Sequence, residues 1–491
     1  MKTGNWKVSK DRCYWLIGAS LILTGSGSLT TAQATQVADP KATSPYAVGI
    51  VRDSITVADN VINSDGSMTP FTRTLPIYIF YPVDKSSVSD SSPRFNYEIF
   101  TSFIPNSRNT PLWREIPSAI WENNGVDRGY TAATASSHGP FPMIAFFNGG
   151  GCEATLHIKF HTHMATHGYV VGAVMWPDTD SGGGANCPKN STLQNDRAVL
   201  LRSLNVKMMI DRALSRNSTT GDLLHGVIDA EKIAGASMSR GGRDLVHLIS
   251  GLKLGSLPGE NKYGALAPDP RIKALIALDS ADPQISGENL KKVTVPVLAL
   301  GTASGTAEDQ FNAHSFNHHT ARWHAMPSSD IKYRIDMRKT THTSHIVSNC
   351  AYLYAAIQAG LVAGPVSRYD SQCNNPTQVL LEGDYQNTMF TYVIAFLRTH
   401  LENKVGYGDI LTPGWTINAD SNAEFFQSTQ GGDVQMFRPA NACRFIDGDF
   451  KFRLRQPGIT TNNASTNRAE TMFSDSDGGI DDDIKAKLLA E

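Results

Sequence analysis

Eight short runs of apolar residues, bounded by turn-forming residues and separated by amphipathic stretches, constrain this chain more than any other feature. They are A-V-G-I-V near residue 47, L-P-I-Y-I-F-Y from Leu75, M-I-A-F-F from Met143, Y-V-V-G-A-V-M-W from Tyr169, K-I-A-G-A-S from Lys232, K-A-L-I-A-L from Lys273, V-P-V-L-A-L from Val295 and K-Y-R-I-D-M from Lys332. This alternation is the pattern of a mostly parallel sheet covered by helices. The expected fold class is α/β, with one mostly parallel eight-stranded sheet flanked by helices. Candidate helices run from His157 to His167, Asp196 to Leu214, Gly241 to Ser250 and Thr388 to Leu401. Residues 84–138 form a polar, aromatic-bearing excursion between the second and third strands.

Composition narrows the function classes. Of 491 residues, 41% are hydrophobic and 18% charged, with a net charge of -2, which excludes a disordered chain and gives no basic scaffold for nucleic acid. Residues 1–34 carry Lys2, Lys7, Lys10 and Arg12, then the apolar run C-Y-W-L-I-G-A-S-L-I-L, then A-Q-A ending at Ala34. That is the layout of a secretory signal peptide, and the apolar run stops short of the roughly 20 residues a membrane span needs. The expectation is a secreted or periplasmic chain cleaved near Ala34, with no integral membrane span. Removing four basic residues and one acid takes the net charge from -2 to -5. Five cysteines then remain: Cys152, Cys187, Cys350, Cys373 and Cys443. In an oxidising compartment the local disulfide pairs are Cys152 with Cys187 and Cys350 with Cys373, and five cysteines leave other pairings open. The expected organisation is a signal peptide (1–34), a catalytic domain (35–430, with 84–138 inserted between strands) and a C-terminal extension (431–491) with an acidic tail. The tail lacks the full spacing of a calcium loop and reads as solvated.

The segment D-A-E-K-I-A-G-A-S-M-S-R-G-G, Asp229 to Gly242, carries the strongest chemical signal: a short strand, a tight turn of small residues and an amphipathic run. A nucleophile elbow needs this layout, because the serine occupies a strained turn and only small neighbours let strand and helix approach closely. Ser239, followed by Gly241 and Gly242, fits better than Ser237, which would lose the glycines where the helix packs. Upstream, F-P-M-I-A-F-F-N-G-G-G-C runs a strand into three glycines whose N–H groups can stabilise an oxyanion. The expected donors are Gly150, with Gly151 next, and Arg240 after the serine.

Together these residues resemble the α/β-hydrolase superfamily, in particular secreted serine esterases of the chlorophyllase, platelet-activating-factor acetylhydrolase and dienelactone hydrolase-like group. The resemblance runs from about Leu75 to Phe426 and includes L-P-I-Y-I-F-Y-P, H-G-Y-V-V, S-M-S-R-G-G, A-F-L-R-T-H-L and L-T-P-G-W. It implies an α/β-hydrolase fold and a Ser-acid-His triad in that chain order. Chlorophyllase-like enzymes place the acid directly after the sixth strand, here Asp279. Asp282 reads as a turn or cap before Pro283, and many relatives place the acid after the next strand, where Glu308 and Asp309 stand. The base is expected after the eighth strand, where T-S-H-I-V favours His345 over His342. The implied activity is hydrolysis of a small-molecule or polymeric carboxylic ester, without cofactor or metal, and Trp176 is a candidate for lining the acyl site.

Two other classes compete. His157, His161, His163 and His167 on one helix, and His314, His318, His319 and His324 further on, raise a metal-dependent hydrolase, although no H-E-x-x-H or H-x-H-x-D-H pattern is present. A non-catalytic binding protein on the same fold is the third reading.

Overall fold

The computed structural model describes residue 40 and residues 45–62, 68–103, 111–149, 154–175, 192–252, 266–280, 287–303, 331–338, 340, 342–345, 348–361, 382–412, 423–430 and 433–437. Strands β1 (Tyr46–Ile62) and β2 (Met68–Asp84) form a long antiparallel pair. The excursion after them holds β3 (Tyr97–Phe103) and β4 (Pro111–Ile116), which pair as a small separate sheet, then α1 (Ser118–Asn123) and β5 (Gly129–Thr131). There follow β6 (Phe141–Phe147), α2 (Ile158–Thr166), β7 (Val170–Val174), α3 (Thr192–Ser218), β8 (Ile228–Met238) and α4 (Gly241–Ser250). The chain continues through β9 (Ile272–Leu278), α5 (Gly287–Leu290), β10 (Val297–Ala303), β11 (Lys332–Arg338), α6 (Asn349–Gln358), α7 (Glu382–His400), β12 (Ala423–Gln430) and β13 (Asp433–Phe437).

From edge to edge the main sheet runs β5-β1-β2-β7-β6-β8-β9-β10-β11-β12-β13. Its centre, β7 through β11, is entirely parallel. β2 is antiparallel to both its neighbours, and β12 and β13 close the far edge as antiparallel strands. All eight expected strands form, but the expectation of an eight-stranded sheet is corrected: among the described residues the main sheet has eleven. The three additions share a cause. β5 is three residues long, and β12 (A-E-F-F-Q-S-T-Q) and β13 are polar segments at an edge, so none shows the continuous apolar run of a buried central strand.

The central strands read as continuous apolar runs because both faces are covered. On β6, Ile144 and Phe146 pack with Phe160, Met164, Met389 and Phe396 from α2 and α7. The alternate residues Met143, Ala145 and Phe147 pack with Met209 and Ile210 of α3 and Leu245 and Leu248 of α4. Period-2 alternation of side chains thus feeds two cores, and burying one such Phe or Met contributes about 1.5–3 kcal/mol. The excursion folds back on the sheet: β5 pairs in parallel with β1, and Trp121 of α1 is fully buried, its ring 6.4 Å from that of Tyr352 on α6.

The expected signal segment, Trp176, the acids Asp282, Glu308 and Asp309, the acidic tail, and Cys152, Cys187, Cys373 and Cys443 lie outside the described residues. No helix among the described residues is long and apolar enough to cross a membrane.

Candidate active site

Because β8, β9, β10 and β11 are parallel neighbours, the turns that follow them emerge at one edge of the sheet. Ser239 directly follows β8, Asp279 directly follows β9, and His345 closes a 3-10 turn (His342–His345) after β11. In open α/β sheets, the carboxyl edge is where ligands bind. Two backbone bonds tie these turns to the sheet: Ser239 N–H donates to Leu278 O (3.2 Å) and Asp279 N–H to Leu300 O (2.7 Å).

Ser239 sits at φ 53° between strand and helix, a left-handed conformation that costs a non-glycine residue on the order of 1–3 kcal/mol. It is half-buried, whereas Ser237 is fully buried within β8. Ser237 Oγ donates to Ile276 O (3.1 Å) and lies 3.0 Å from Ser280 Oγ, so it ties β8 to the residue after Asp279. The two glycines after the serine are required by close approach. A Cβ on Gly241 would lie 2.2 Å from Phe147 O, and one on Gly242 would lie 2.2 Å from Ser280 Cβ. α4 then begins beneath the serine, with Gly242 N–H donating to Ser239 O and Arg243 N–H to Arg240 O, both at 3.0 Å. The positive end of its dipole therefore faces the turn.

The loop leaving β6 meets this turn. A Cβ on Gly149 would stand 3.3 Å from Ser239 Cβ and 2.8 Å from Met238 Sδ, so the glycine backbone lies directly against the serine. Gly150 and Gly151 lie outside the described residues, and Gly149, which sequence reasoning passed over, is the glycine seen against the serine. Behind it, Arg202 of α3 donates through Nη2 to Gly149 O (3.1 Å) and to Asn148 O, and through Nε to the Asp244 carboxylate of α4. The Asn148 amide donates to Val174 O (2.8 Å), holding the same loop from β7.

Asp279 has φ 42° and is fully buried. His345 is fully buried, and its Nδ1 lies 2.6 Å from the hydroxyl of Tyr385 on α7, the rings being 4.9 Å apart and 70° inclined. Burial, followed by the nearby Asp279 charge, pushes the Tyr385 hydroxyl well above its usual range, so it stays protonated. The structure thus brings His345 to Tyr385 and Tyr385 into the field of Asp279. Sequence reasoning missed Tyr385 because its helix was expected to begin at Thr388. It also missed Arg202, although the arginine heads the buried stripe Val206, Met209 and Ala213 at helical spacing.

A second grouping of serine, histidine and aspartate lies at the opposite edge of the sheet. Ser136 Oγ donates to Asp84 Oδ1 (2.5 Å), while His138 Nδ1 is 3.2 Å from Ser136 Oγ and 3.3 Å from Asp84 Oδ1. Both contacts fall on one ring nitrogen, so the imidazole cannot relay a proton between serine and acid, which needs two. The histidines in and beside α2 fall into two separate pairs, His157 with His161 (ring centroids 6.5 Å apart) and His163 with His167 (4.5 Å). His161 packs between Phe80 and Phe146, whereas His163 stacks on Phe390 and meets Pro40 O at 3.1 Å. Among the described residues no group of three or more His, Cys, Asp or Glu side chains is placed to hold a metal ion.

No protein-family model matches the chain, and a search of curated proteins finds no match.

Proposed function

We propose that the chain is an exported serine hydrolase of carboxylic esters on an α/β-hydrolase fold. The observation that carries the proposal is Ser239 at φ 53° in the turn between β8 and α4, with Gly149 against its Cβ and the Asp279 and His345 segments emerging at the same sheet edge. The strand order supports it. Counted alone, the eight expected strands lie in the order 1-2-4-3-5-6-7-8 with the second reversed, so the strands leading to Ser239, Asp279 and His345 lie together in the parallel part of the sheet.

In this reading Ser239 Oγ attacks the ester carbonyl carbon while His345 takes its proton. The tetrahedral oxyanion is held by the N–H of Arg240 at the start of α4 and by N–H groups of the loop after β6, Gly150 among them. Collapse expels the alcohol, which takes the proton from His345, and leaves an acyl-serine. Water, deprotonated by His345, attacks the acyl-serine and releases the acid. Asp279, deep in the site, supplies the negative charge that favours the imidazolium formed at each step.

Hydrolysis of a graded series of p-nitrophenyl esters by residues 35–491 tests this reading, beside Ser239→Ala and Ser237→Ala. The expected result is turnover abolished by Ser239→Ala, with Ser237→Ala retaining the nucleophile. Loss in Ser237→Ala alone would move the nucleophile two residues. A wild-type protein inert to every ester and to a fluorophosphonate would sink the reading.

A further inference from the structure

The Arg202 guanidinium reaches two elements at once: its Nη2 donates to the carbonyls of Asn148 and Gly149, and its Nε donates to Asp244. Asp244 is itself fixed on α4. Its backbone carbonyl accepts from Ser203 Oγ (2.9 Å), and its other carboxylate oxygen lies 3.7 Å from Arg243 Nε. Both Arg202 and Asp244 are buried, so the pair acts in a medium that screens it little. A rigid guanidinium fork anchored on a carboxylate therefore fixes where two successive carbonyls of the loop after β6 must point.

The peptide unit makes that orientation chemically useful. In a planar trans peptide the C=O and the N–H point in opposite directions. The unit joining Asn148 to Gly149 turns its carbonyl to Arg202, so the Gly149 N–H faces away from the arginine. The same loop lies against Ser239, with the Gly149 Cα so near that a Cβ would reach 3.3 Å from the serine Cβ. We propose that Arg202, anchored by Asp244, is a positioning residue that pre-orients the Gly149 backbone N–H as an oxyanion donor beside Ser239. It touches no reacting atom; it removes the freedom of the Asn148–Gly149 peptide to flip, so no reorganisation is required when the oxyanion forms. The inference rests on the serine-hydrolase reading and adds to it a residue on a helix that carries no member of the triad.

The test is steady-state kinetics of Arg202→Lys and Arg202→Gln on the best p-nitrophenyl ester, with thermal melts of each. Lysine keeps a cation beside Asp244 but cannot reach both carbonyls with a planar fork, and glutamine keeps a donor without the charge. The expected result is kcat lowered about 10- to 100-fold, short of the ~10²–10³ for deleting a donor outright, because the N–H remains but wanders. KM should stay within about twofold, since the interaction is made in the transition state only. Lysine should lose less than glutamine. If both variants turn over within about threefold of wild type, or lose kcat and KM together in proportion to their melting temperatures, the positioning role is overturned while the hydrolase reading stands. Failure of both variants to fold assigns Arg202 to stability and overturns it equally. Should the wild-type protein neither hydrolyse esters nor be labelled at Ser239 by a fluorophosphonate, the underlying reading falls first, and the two failures are told apart by that control.

Discussion

Ser239 and Asp279 both adopt positive φ, 53° and 42°, at the ends of adjacent strands, and each is held there by an N–H bond to the next strand of the sheet. At this scale the least expected contact is Tyr385 Oη on His345 Nδ1 at 2.6 Å. A hydroxyl at Nδ1 fixes the ring as a carboxylate would, but it can donate as well as accept. The imidazole serves as a base through Nε2 only when Nδ1 carries the proton and the tyrosine oxygen accepts it. Tyr385→Phe should lower kcat at least about tenfold, a part of the ~10²–10⁴ a positioned base supplies. Esterase kinetics at unchanged melting temperature checks this, and undiminished kcat would show that His345 works without the tyrosine.

The elements show why sequence periodicity succeeded where it did. α4 is buried at all ten positions, and its boundaries, Gly241 to Ser250, match those expected because the glycines at its start and the glycine after it leave no freedom in where it begins and ends. α2 is the opposite case, since its two histidines and the one at each of its ends look like ligands until the packing is seen. Burial lowers the His161 imidazole to about 3 and that of His163 to about 4, with His157 also well below its usual value. These rings remain neutral in the folded chain while the unfolded chain binds protons below about pH 6.5. The unfolded state therefore holds more protons between about pH 6.5 and 4, and stability falls as pH drops through that window, by up to about 1.4 kcal/mol per pH unit for each such histidine. Urea melts at pH 7, 6 and 5 should show the midpoint falling, and His163→Phe, which keeps the stack on Phe390, should flatten the slope. An unchanged slope in that variant would mean other groups carry the acid sensitivity.

For the whole molecule, the far edge of the sheet carries a testable consequence. β12 ends the expected catalytic domain and β13 lies in the expected C-terminal extension, yet they form antiparallel ladders beside β11, whose Tyr333, Ile335 and Met337 belong to the core. Deleting residues 423–491 would bare the ladder of β11 and create an open edge next to that core. The truncated protein is expected to melt several degrees lower and to associate, which size-exclusion chromatography and a thermal melt would show. A monomeric, equally stable product would make these strands an accessory.

The chain's own sequence determined the parallel centre of the sheet, its four principal helices and the strand-turn-helix around Ser239. Each rests on local physics: apolar runs buried on two faces, helical spacing, and glycines where no side chain fits. Tertiary structure alone decided what lies far apart in sequence. Gly149 reaches Ser239 across 90 residues, Arg202 ties that loop to Asp244 across 42, and Tyr385 meets His345 across 40. A buried arginine or tyrosine gives no local sign of its partner, because its cost of burial is offset by groups that only the completed fold brings within hydrogen-bond reach.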